Sequence, residues 1–247
     1  MKSACAQQVQ SLSSGKELLP EPCAACAARV LSVCDAIDDC DLDRLAAITS
    51  VQDIARHQIF VTEGDPADHL FNVTDGTVKV YKLLPDGRQQ ITGFLFAGDF
   101  LGLSFLERYG CSAEAVTRVR CCRFPRKQFA AMLTDFPGIE PRLLGIASNE
   151  LAAAQDHMVL LGRKTARERV STFLLMLSRR AARSGGTTDP VILPMTRTDI
   201  ADYLGLTVET VSRTFTHLKK GGFIELREAG IVHLSNLSAL EDLSQGF

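Results

Sequence analysis

Two sets of residues in this chain of 247 have types and spacings suited to chemistry. The first is the run Cys23-x2-Cys26-x7-Cys34, followed far downstream by the adjacent pair Cys121-Cys122. Four thiolates can hold a [4Fe-4S] cluster, and two ligands three residues apart reach one region of it from a single turn. Four cysteines without paired histidines also suit structural zinc. The second set is Glu209, Ser212 and Arg213, spaced so that all three lie on one face of a helix. Arginine bonds guanine bidentately, glutamate accepts from cytosine N4, and serine serves either role.

The elements that must position these groups follow from periodicity. Ile200, Leu204, Val211 and Leu218 share an apolar face, Ala201 is small where two helices would cross, and Gly205 falls where their turn needs a positive φ. This predicts a helix-turn-helix with Glu209, Ser212 and Arg213 on its outer face. Residues 221–234 read as a hairpin wing. Between Val51 and Phe124, short alternating segments are separated by turns at Glu63-Gly64-Asp65-Pro66, Thr74-Asp75-Gly76, Leu84-Pro85-Asp86-Gly87 and Ala97-Gly98-Asp99. Such spacing predicts an antiparallel roll. A short helix is expected over Leu42 to Ile48, a long one from about Glu140 to Leu161, and another from Ala166 to Ala182. On the long helix Leu144, Ala147, Leu151, Ala154, Met158 and Leu161 recur at steps of three and four. That stripe suits a core-facing helix, or a seam with a second chain. The expected division is an arm over 1–40, a roll over 41–138, a dimerisation helix over 139–162 and a winged helix-turn-helix over 163–247.

Charge is distributed unevenly. The whole chain carries −2, but residues 163–228 hold 12 Lys/Arg against 7 Asp/Glu, while residues 1–162 hold 15 against 20. The positive field belongs to the half that would meet phosphates. No apolar run reaches the roughly 18 residues that span a bilayer, and the first eight residues lack the apolar core of a signal peptide. A cytoplasmic protein without a membrane partner is expected, with its cysteines as ligands or buried thiols. Five scattered histidines, with no nucleophile–base pair or phosphate loop, argue against an enzyme.

The order of roll, long helix and winged helix-turn-helix resembles the Crp/Fnr superfamily of transcription regulators. The resemblance rests on residues 93–102, 160–169 and 202–213, and on the Glu-x-x-Ser-Arg spacing of FNR-type members. It implies an α+β fold: an N-terminal antiparallel β-roll like a cyclic-nucleotide-binding jelly roll, a dimerisation helix, and a C-terminal winged helix-turn-helix. It implies a homodimer that reads a palindromic TTGAT-type operator in double-stranded DNA through Glu209, Ser212 and Arg213, and touches RNA polymerase through the turn Asp86-Gly87-Arg88. Cyclic-AMP binders of this superfamily carry an Arg-Ser/Thr-Ala triplet where this chain has Cys111-Ser112-Ala113, so that ligand is not expected. FNR-type members hold a [4Fe-4S] cluster with three arm cysteines and one from the roll, three residues before a proline. Cys122 precedes Pro125 by three, which assigns Cys23, Cys26, Cys34 and Cys122 as ligands, leaves Cys40 as a spare for Cys34, and makes oxygen the signal. Seven residues, rather than five, precede the third cysteine. Members of the same fold without a cluster, FixK-like or zinc-bound, are the alternative. Alignment of Gln155-Asp156 places Asp156 at the dimer contact, as a charge switch in a stripe with Ile146, Asn149, Ala153 and Leu160.

Overall fold

The structure, a computed structural model, describes residues 23, 26–103 and 107–246. Most of the predicted arm, with Cys5, lies outside the described residues. The rest of the arm winds through three short 3-10 turns, Arg29–Leu31, Val33–Ala36 and Asp39–Asp41, into α1 (Leu42–Ala47).

Eight strands form the roll: β1 (Ser50–Ile54), β2 (Ile59–Val61), β3 (His69–Asp75), β4 (Val78–Leu83), β5 (Gln89–Leu95), β6 (Phe100–Leu101), β7 (Ser112–Ala115) and β8 (Val119–Pro125). They build two four-stranded sheets, ordered β1-β8-β3-β6 and β2-β7-β4-β5, with antiparallel neighbours. Successive strand residues face opposite sides. Val73, Val78, Val80, Leu95, Val119 and Cys121 therefore fill one apolar cluster in the roll, while their neighbours Tyr81, Phe94 and Cys122 join other clusters. Gly98 turns β5 into β6 at φ +94°, and a Cβ there would stand 2.5 Å from Leu31 of the arm. Only glycine allows that conformation and that approach.

Helix α2 (Arg126–Asp135) leads to the long α3 (Ile139–Arg163), and α4 (Ala166–Arg183) follows after two residues. Thr165 and Glu168 form a reciprocal capping box at the start of α4, which fixes the joint. The C-terminal unit then contains β9 (Val191–Ile192), α5 (Arg197–Leu204), α6 (Val208–Lys220), β10 (Ile224–Glu228), β11 (Ile231–Leu234) and α7 (Leu237–Gln245). Its three strands are ordered β10-β11-β9.

One core continues across the two units. Ile200, Leu204, Val211, Phe215 and Leu218 of the helix-turn-helix share a buried cluster with Phe173 of α4 and with Tyr81, Ile91 and Phe94 of the roll.

Candidate functional site

Helices α5 and α6 meet at Gly205, which adopts φ +60°. A Cβ on it would stand 3.1 Å from Leu161 Cδ2 and 3.3 Å from Arg169 Nη1, so a larger residue would be both strained and crowded. Thr207 caps α6 by accepting from Thr210 N. Val211, Thr214, Phe215 and Leu218 turn inward, and Glu209, Ser212 and Arg213 are exposed together on the outer face. The Glu209 carboxyl is held below its usual range, first by its own backbone N–H, then by Thr207, and also by Arg213. It therefore presents only acceptors at neutral pH.

Two residues missed in the sequence share this face. Thr216 and Lys220 are exposed at the next steps of three and four beyond Arg213, and line a shallow groove of about 230 Å³ with Ser212, Arg213 and His217. Extending the same helical series by two turns finds them.

The expected cluster ligands lie on the arm and on β8 of the roll. Cys34 and Cys122 are buried in one cluster with Phe100, Phe124 and Ile139, and Cys23 packs against it. Ser32 holds the Cys34 turn by accepting from Cys34 N at 3.2 Å. Burial raises the pKa of Cys34, and the thiols of Cys23 and Cys26 raise it further. Cys122 is pushed up to about 12, by burial first and then by Cys34, Cys26 and Cys23. Cys23, Cys26 and Cys34 therefore all act on Cys122.

Cys121 faces the opposite way into the roll, with its pKa raised to about 11 by burial. Cys40 is exposed on the turn after Cys34. Among the described residues, no three or more His, Cys, Asp or Glu side chains are grouped closely enough to hold a metal ion. Asn72 pairs with Cys122 across β3–β8, so the two side chains share a face. Its Oδ1 is buried with no hydrogen-bond partner.

The arm is tied to the long helix beside these thiols. Arg142 of α3 donates to the carbonyls of Ser32 at 3.2 Å and Val30 at 3.3 Å. Further along α3 the predicted stripe is open to solvent. Leu144, Leu151 and Met158 are 69%, 61% and 65% exposed, and Ala147 and Ala154 between them are exposed too. The core-facing reading holds only at the last member of that stripe, Leu161, which is half-buried; Ile139, Leu143, Ile146 and Leu160 make the other intramolecular contacts.

Asp156 is exposed as well. At about 100° per residue it lies roughly 140° around α3 from Leu151, off the apolar stripe. Two of its expected companions, Ile146 and Leu160, pack within the chain.

A cavity of about 360 Å³ opens in the roll, lined in part by Thr92, Gly102, Arg108, Tyr109 and Cys111. Cys111 of the Cys111-Ser112-Ala113 triplet is half-buried in its wall. Ser112 is already engaged, accepting from Glu63 N at 3.0 Å.

A sensor-type roll joined by a long helix to a winged helix-turn-helix defines a two-domain DNA-binding regulator. Residues 51–136 match the family described as "Cyclic nucleotide-binding domain", and residues 168–243 match "Crp-like helix-turn-helix domain". The nitrogen fixation regulation protein FixK of Bradyrhizobium diazoefficiens is 42% identical over 209 residues, covering 85% of this chain and 88% of that protein. The transcriptional activator protein FnrL of Cereibacter sphaeroides is 36% identical, over 83% of this chain and 84% of its own. The solved structure of FixK2 from Bradyrhizobium japonicum superposes with a TM-score of 0.74 at 36% identity, covering 79% of this chain and 97% of that one. The chain belongs to the Crp/Fnr family and is a DNA-binding transcription regulator.

Proposed function

We propose that the protein is an oxygen-responsive transcription activator that binds a TTGAT-type palindrome as a homodimer. Glu209, Ser212 and Arg213 read base edges, and Lys219 and Lys220 at the end of the same helix add phosphate attraction. Two copies join along α3 through Leu144, Leu151 and Met158, which are too apolar to be left in water together. Asp156 lies outside that contact. The hairpin tip Asp86-Gly87-Arg88 is offered to RNA polymerase. Curated relatives described as activators, FnrL among them, support the sign of the response.

The observation that carries the sensing role is that Cys23, Cys34 and Cys122 meet at one apolar cluster under the start of α3, with Cys26 near enough to act on Cys122. The donor set fits an iron–sulfur cluster in kind: four sulfurs, with no competing carboxylate or imidazole in the set. Cys23, Cys26, Cys34 and Cys122 would hold a [4Fe-4S] cluster, and the cluster would supply sensitivity to oxygen. Arg142 carries a change in the arm to the dimer helix, because it holds the carbonyls on either side of Leu31. Iron and acid-labile sulfide measured after purification without oxygen test this. Four irons per chain and a brown colour that bleaches in air are expected; protein without sulfide overturns the sensing role.

A second reading is a regulator of the same fold that works without a cluster. It is favoured by the separation of the four thiols, which are electrostatically coupled but not grouped at coordination distance. One zinc and no sulfide, or DNA binding unchanged by air, would select it.

A further inference from the structure

Helix α5 carries the reading helix α6, and side chains from the rest of the chain hold both of its ends. At the N-terminus, Thr196 and Asp199 form a reciprocal capping box. The same Asp199 accepts from Lys79 Nζ at 3.0 Å. Lys79 belongs to β4 of the roll, is 8% exposed, and also lies 3.2 Å from Glu114 of β7. Burial alone would lower the Lys79 pKa, but its bonds and charge contacts with Asp199 and Glu114 outweigh that and raise it.

The last carbonyls of a helix have no partner within it. Here they are met from outside. Gln90 of β5 donates to Asp202 O at 2.7 Å and Tyr203 O at 3.3 Å. His157 Nε2 of α3 lies 2.8 Å from Tyr203 O, with its ring stacked on Tyr203 at 4.2 Å. Arg169 of α4 donates to Leu204 O at 2.7 Å. Gln89 adds a bond to the Asp202 carboxylate at 2.6 Å, and Phe94 of the roll packs on Tyr203 with centroids 5.4 Å apart. None of these groups covers Glu209, Ser212 or Arg213.

We propose that this clamp is a positioning device: Lys79 and Gln90 of the sensor roll fix the angle at which α6 is presented to DNA. An apolar contact alone tolerates sliding, because burial has no direction. A buried ammonium between two carboxylates does not, since displacement leaves a charge unpaired in the interior. The roll, rather than the two-residue joint Lys164-Thr165, then sets the separation of the two reading helices in the dimer. Half-sites must lie about one helical turn apart for both to be met, so the clamp selects operator spacing. The inference rests on DNA reading by α6 in a dimer.

The test uses the full-length protein prepared without oxygen, and fluorescence anisotropy on labelled duplexes. One duplex carries two TTGAT half-sites one turn apart, a second has 2 bp added between them, and a third has a single half-site. The wild type is expected to lose about thirtyfold or more in affinity on the lengthened duplex. Lys79→Met and Gln90→Ala are expected to lose about threefold or less, with single half-site affinity unchanged, and Lys79→Arg to restore discrimination. An equal loss on every duplex with wild-type discrimination retained overturns the clamp, as does binding indistinguishable from wild type. Should Lys79→Met fail to fold, Gln90→Ala, which removes no charge, decides alone. A wild type that binds none of the duplexes overturns the DNA reading itself.

Discussion

Leu151→Asp should abolish the dimer without unfolding the chain. Leu151 is 61% exposed in the single chain, so it contributes little to the monomer's core. Surface substitutions of this kind usually change stability by no more than about 0.5 kcal/mol. In the dimer the side chain would be covered. Full burial of a leucine is worth about 1.5–3 kcal/mol, and the exposed share in two copies amounts to roughly 2–4 kcal/mol. The substitution also places two carboxylates across the dyad. At an effective dielectric near 20 they repel by about 4 kcal/mol at 4 Å and about half that at 8 Å. Together these terms weaken association by about 4–8 kcal/mol, or roughly three to six powers of ten at 1.4 kcal/mol each. Sedimentation velocity without oxygen reads the result directly, and far-UV circular dichroism checks the fold. A Leu151→Asp protein that sediments as a dimer at wild-type concentrations would refute the placement of the seam.

Asp156→Ala separates the two faces of the same helix: with the seam on Leu151, the dimer dissociation constant should stay within about threefold of wild type. A tightening of about 30-fold or more, which would survive in air, would return the dyad to the Asp156 face. Arg213→Ala should cost about 1–3 kcal/mol at the operator guanine and flatten preference at that base pair, measured on half-site variants; weaker binding with the preference intact would make Arg213 a phosphate contact. Replacing Cys23, Cys26, Cys34 or Cys122 singly with Ser should remove iron and sulfide and abolish anaerobic operator binding, whereas Cys111→Ser should leave both unchanged. Asn72→Ala should keep the iron content of fresh anaerobic protein but speed bleaching in air, because it removes the amide beside Cys122; an unchanged bleaching rate would assign Asn72 to packing alone.

Much of the reading head was legible because its signals are local. The spacing from Ile200 to Leu218 is the helical period itself, and Gly205 marks a backbone conformation that other residues resist. Strand alternation was equally informative: Cys121 and Cys122 had to face opposite ways, and one lies in the roll while the other meets the arm cysteines. The stripe on α3 was visible too, but periodicity reports only that a face is apolar. Whether the roll covers that face or leaves it open is decided by Ile139, Leu143 and Ile146, which take the intramolecular side.

Other features had no trace in the order of residues. Lys79 and Asp199 are 120 positions apart and Gln90 and Asp202 are 112 apart, so neither pair falls within any helical or strand repeat. Thr196-x-x-Asp199 reads locally as a helix cap, and it does form one; its second bond, to a buried lysine in another domain, exists only because β4 turns Lys79 away from the interior of the roll. The sequence by itself determined the elements and the chemistry each can present, since those depend on neighbours within a few residues. Tertiary structure alone decided which faces meet, because packing joins residues by shape and charge irrespective of their distance along the chain.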